Sequence, residues 1–97
     1  METIDRAYAT LQELGLTRSQ YDFSQQWLGQ CPSYYSVTKA RGGEPGMTSL
    51  LFLDLQLQLM RTALARTHNS AHAHRGAQRL HQIREAVSLR VRERVTA

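Results

Sequence analysis

The sequence predicts an all-α protein. Apolar residues recur at helical spacing in several segments, and Gly and Pro fall between those segments rather than inside them. Two long C-terminal stretches carry helix-length apolar patterns. The chain has 97 residues, enough for one domain with a modest core. The expected architecture is a helix-turn-helix head of three to four short helices over 1–47, followed by two long helices over 48–97 that make a dimer.

The first helix is expected over 3–14. Ile4, Ala7, Leu11 and Leu14 share a face, with Tyr8 beside them, and Gly15 is the stop signal. Thr17 reads as the next cap, with Gln20 three residues on as in a capping box. The second helix then runs from Arg18 to Leu28, with Phe23 and Trp27 four apart as core anchors and Gly29 closing it. Pro32 suits the first turn of a third helix over Ser33–Arg41, and residues 42–46 break the chain.

Residues 48–66 show alternating leucines, which is also a strand signature. Their length and their Leu, Gln, Met and Ala content favour a helix. It carries two apolar rows: Leu50, Leu53, Leu57, Met60 and Leu64 in one, Phe52, Leu55, Leu59 and Ala63 in the other. A helix apolar on most sides needs cover on most sides, more than a small chain can supply. Asp54 in that setting demands a partner.

Residues 68–76 read as a connector. The last helix is expected from Ala77 to Val95, with Leu80, Ile83, Val87 and Val91 as a narrow seam margined by Arg84, Arg90 and Arg94. Leu53, Leu57, Met60, Leu64, Leu80, Ile83, Val87 and Val91 are the expected dimerisation residues.

The net charge is +4, and it is unevenly placed. Residues 1–48 sum to −1 and residues 49–97 to +5; Lys39 is the only lysine. A basic chain favours polyanions or acidic protein surfaces. A single cysteine, Cys31, excludes an internal disulfide framework. No apolar run reaches the ~18 residues of a membrane span, and the acidic N-terminal stretch does not resemble a secretory signal, so a cytoplasmic location is expected.

The order of residues 16–53 is the most informative feature. Leu16-Thr17, Gln20, Phe23-Ser24, Trp27-Leu28-Gly29, Ser33-Tyr34-Tyr35-Ser36-Val37, Gly42-Gly43, Pro45, Leu50 and Leu53 resemble the lambda-repressor-like helix-turn-helix family. The resemblance covers about 40 residues and its motifs are moderately specific. The chain is also similar to small bacterial proteins with a Trp-Leu-Gly, Pro-Ser-Tyr, Arg-Gly pattern. One departure stands out. The family usually spaces the small residue and the turn glycine by four, whereas Ser24 and Gly29 are five apart. Either the turn holds an extra residue or the small position is Gln25. Spacing favours Tyr34 and Val37 as the buried pair, with Tyr35, Ser36, Lys39 and Ser33 outward. The rival register buries Tyr35 and Thr38.

What the resemblance implies is sequence-selective binding of double-stranded DNA; the dimer expected from the excess apolar surface of residues 50–64 and the seam at 80–91 would set two recognition helices ~34 Å apart. The expected DNA contacts are Arg18, Gln20, Ser33, Tyr34, Tyr35, Ser36, Lys39 and Arg41. The rival function is an adaptor or anti-activator that grips another regulator or a polymerase, because fold alone does not fix function and one lysine with one nearby arginine is a thin supply of phosphate-neutralising charge.

No enzyme, cofactor or metal is expected. There is no phosphate-binding glycine loop, nucleophile elbow or zincin motif. His68, His72, His74 and His81 are close in sequence, but a polar linker is the expected role of that segment, with a pH-sensitive hinge as the lesser one.

Overall fold

The structure, a computed structural model, describes residues 1–67 and 71–96. Five helical segments and no strand occur among these residues. They are α1 (Glu2–Glu13), α2 (Gln20–Asp22, continuing as a π-helical turn Phe23–Trp27), α3 (Tyr34–Ala40), α4 (Met47–Thr67) and α5 (Ala71–Thr96). His68 lies outside the described residues.

α1 forms as its pattern predicts: Ile4, Ala7 and Leu11 are buried on one face. Gly15 ends the turn after it at φ +74°, a conformation that costs glycine little. The next helix starts later than expected. Its cap is Ser19, whose hydroxyl accepts from the Asp22 N–H at 3.2 Å. Thr17 instead is buried and donates to the Asp22 carboxylate at 2.7 Å.

The five-residue spacing from Ser24 to Gly29 has a physical cause. Phe23–Trp27 is wound as a π turn, in which the Leu28 N–H bonds the Phe23 carbonyl at 3.1 Å. Such a turn takes up one extra residue within a helix. Phe23, Ser24 and Trp27 all remain buried. Gly29 follows at φ +65°, with the Phe52 ring 3.2 Å from where a Cβ would stand.

The two long helices fold back on one another. Asp54 on α4 meets Arg84 on α5 at 3.3 Å, which supplies the partner its apolar setting requires. Near one end of the pair, Gly76 of α5 turns toward Leu64 of α4 and Leu14, each 3.8 Å from where a Cβ would stand. At the other, Arg94 donates to the Pro45 carbonyl at 2.5 Å and Arg90 pairs with Glu44. The guanidinium of Arg90 holds the Glu44 carboxyl below its usual range, against a smaller opposing effect of burial. α1 lies along α5, tied by Arg79 to Glu13 at 2.5 Å.

This return path corrects the expected dimer seam. Leu53, Leu57, Leu80, Ile83 and Val87 are buried inside one chain, and Met60, Leu64 and Val91 pack half-buried against the same cluster. The cluster runs from Ile4 to Val87, so head and C-terminal helices share one core. The connector is also shorter than expected. His72, Ala73, His74, Arg75 and Gly76 are helical residues of α5, with Ala73 and Gly76 buried. Glycine costs a helix interior about 1 kcal/mol, and a Cβ at position 76 would stand at an ordinary van der Waals distance of 3.8 Å from Leu14 and Leu64, so this packing leaves room for alanine.

Candidate nucleic-acid interface

The site is built on one hydroxyl. Ser24 is fully buried, donates to the Gln20 carbonyl at 2.9 Å and accepts from the Tyr35 N–H at 3.0 Å. A helix leaves its first N–H groups without internal partners, so Ser24 satisfies one of them from the neighbouring helix. The Gln30 N–H closes the turn onto the Ser24 carbonyl at 2.9 Å. A larger residue at 24 would push α3 away from α2.

This clip decides which tyrosine points inward. Tyr35 is 1% exposed. Its ring sits 5.2 Å from Phe23 and 5.3 Å from Tyr8, and its hydroxyl donates to Asp5 at 2.5 Å. Burial, reinforced by the Asp5 carboxylate, pushes the phenol well above its ordinary value. The expected outward role of Tyr35 as a DNA contact is therefore withdrawn. Val37, expected in the core, is 41% exposed. Tyr34 is half-buried and its hydroxyl accepts from the Gly46 N–H at 3.0 Å, which ties α3 to the loop before α4.

The remaining expected residues divide into two groups. Gln20 and Ser36 meet across the α2–α3 junction, where they line a shallow recess of about 300 Å³ with Ser19 and Tyr21. Ser33, at the start of α3, is exposed, and the Ser36 hydroxyl donates to its carbonyl at 3.2 Å. Arg18 is not part of this group. It lines a separate cleft of about 550 Å³ with Asp22, Gln26, Trp27, Gln56, Leu59 and Met60. Lys39 is exposed, but sits 3.5 Å from Asp5 and over the Tyr35 ring, so part of its charge is balanced. Arg41 is exposed at the end of α3.

Two members of this surface escaped the sequence reading. Tyr21, 63% exposed, stands beside Gln20. Ser19 was hidden by the preference for Thr17 as the cap. An aromatic immediately after Gln20 and out of register with Phe23 and Trp27 was the available sign for Tyr21.

The electrostatics are modest. Arg79, Arg84, Arg90 and Arg94 are all engaged with acids or a carbonyl of the same chain. That leaves Arg61, Arg66, Arg75 and Arg92 on α4 and α5, and Arg6, Arg18 and Arg41 nearer the head, with no ion pair among the described residues. No group of three or more metal-ligating side chains occurs among the described residues. No helix among them is long and apolar enough to cross a membrane.

Residues 4–97 match the model of a family of unknown function, DUF6626, and the chain belongs to that family. No curated protein and no solved structure matches it.

Proposed function

We propose that the protein is a non-enzymatic DNA-binding module of lambda-repressor-like helix-turn-helix type. The observation that carries this reading is the Ser24 clip. It fixes the first turn of α3 across α2, where Ser19, Gln20, Tyr21 and Ser36 line one polar recess, with Ser33 exposed at the start of α3. Hydroxyl and amide side chains on such a surface can read bases and hold phosphates. Arg41, at the end of α3, supplies a charge for phosphate neutralisation, and Lys39 on the same helix, partly balanced by Asp5, supplies another. Selection from a random duplex pool tests this. Enrichment of a common motif that is lost in Gln20→Ala supports the reading, and an unenriched pool rejects it.

A second reading has its own observation. Leu51, Leu55 and Leu59 are each more than half exposed on α4. An exposed apolar row of this kind marks a protein contact, as an adaptor acting on another regulator would need.

A further inference from the structure

The outer face of α4 is the largest feature that the fold leaves unexplained. One apolar row of the helix is consumed by the core; the other is not. Leu51 is 51% exposed, Phe52 36%, Leu55 52% and Leu59 56%. At 100° per residue these four share a sector with Thr48, Gln58, Thr62 and Ala65, all exposed. We propose that this face is covered by a second copy of the same chain, with the two α4 helices antiparallel about a two-fold axis at Leu55.

Three properties of the face select a copy of itself as occupant. The first is charge. From Met47 to Met60 the only charged residue is Asp54, which points to Arg84 within the chain. A chain of net charge +4 repels its copies over most of its surface. The outer sector is uncharged from Thr48 to Ala65 and is bounded at one end by Arg66, and this strip is where copies can meet.

The second is symmetry. An isologous contact needs a surface complementary to itself under a two-fold rotation. With the axis at Leu55, position 51 faces position 59 of the second copy and position 48 faces position 62. The residues are Leu51 with Leu59 and Thr48 with Thr62, so each pair is of one residue type. Phe52 opposite Gln58 departs, and there an aromatic ring can lie over the aliphatic stem of the amide; Ala65 falls opposite position 45, outside α4.

The third is size. The exposed parts of the four apolar side chains amount to on the order of 300 Å², within the range of functional patches on monomers. Two copies would bring together about twice that, and the flanking Thr48, Gln58, Thr62 and Ala65 raise the total toward the lower bound of roughly 1,200 Å² for specific interfaces. The expected dimer is therefore reversible, with a Kd on the order of micromolar. This proposal does not depend on DNA binding.

Sedimentation equilibrium of the full chain without nucleic acid tests it. The wild type should shift from 11.1 kDa to twice that mass across the micromolar range. Leu55→Arg places two guanidinium groups at the axis and should stay at the single-chain mass, with an unchanged helical circular dichroism spectrum, since Leu55 is not in the core. As a second measurement, Cys31→Ser combined with Leu55→Cys should give a covalent dimer on mild oxidation. Cys31→Ser with Val95→Cys, exposed on α5, should not. A wild type that remains at 11.1 kDa, a dimer that survives Leu55→Arg, or equal crosslinking at positions 55 and 95 would overturn the proposal.

Discussion

Replacing Ser24 by Ala asks whether one hydroxyl holds the two helices of the head together. The change removes a single oxygen and leaves shape nearly intact, so packing loss is small. What is lost is specific. The Tyr35 N–H, bonded to Ser24 at 3.0 Å in a fully buried position, is left without its partner. Leaving a buried donor unmet costs about 1–3 kcal/mol. The bond from Ser24 to the Gln20 carbonyl is lost too, but that carbonyl keeps helical partners, so little is added. A total of roughly 2 kcal/mol is expected, which for a domain of this size lowers Tm by about 8–16 °C. Urea unfolding followed through Trp27, the only tryptophan and a buried one, gives the number directly. The midpoint should fall with an unchanged slope. An unaltered midpoint would show that the hydroxyl is a bystander and that α3 is held by its side chains alone.

Other perturbations follow from the same geometry. Tyr35→Ala should cost about 3–5 kcal/mol and leave little folded protein in a thermal melt, because the residue fills the space between Tyr8 and Phe23; a stable, folded variant would mean that Tyr35 faces outward after all. The Glu44 carboxyl is held below its ordinary value of 4.5 by Arg90, so this contribution to stability is full above that pH and is lost as pH falls through the lower folded value. Acid titration of Tm should show the loss in the wild type and a smaller one in Glu44→Gln.

Much of the fold was legible because helical periodicity reports which face of a segment is buried. Ile4, Ala7 and Leu11, and Leu50, Leu53 and Leu57, are buried as their spacing predicts. Periodicity does not report what covers a face. The seam from Leu80 to Val87 reads equally well as a dimer contact and as the inner side of a hairpin, and the return of the chain between α4 and α5 decides for the second. The register of α3 was hidden for a different reason. Whether Tyr34 or Tyr35 turns inward is set by the Ser24 hydroxyl taking the Tyr35 N–H from the neighbouring helix, a contact that spacing within α3 does not report. Gly76 and the histidines misled in the same way. Polar and glycine content favours a connector there, whereas α5 runs through these residues and buries Ala73 and Gly76.

The site was half legible. Gln20 and Ser36 line one recess with Ser19 and Tyr21, a neighbourhood set by the Ser24 clip between α2 and α3, and their role toward DNA is part of the proposal. The arginines of α5 could not be assigned from sequence. Their acidic partners, Glu13, Asp54 and Glu44, lie far away in the chain, and pairing with them consumes charge that composition alone would grant to a polyanion.

The most direct test of the α2–α3 edge as a DNA-binding surface is the salt dependence of affinity for a selected duplex, measured by fluorescence anisotropy. With Lys39 and Arg41 as phosphate neighbours, log K against log salt should slope at roughly −2 per copy. Arg41→Ala should reduce that slope by about 1 while leaving Tm unchanged. A flat salt dependence, or a steep one indifferent to Arg41, would contradict the assignment of this edge to DNA.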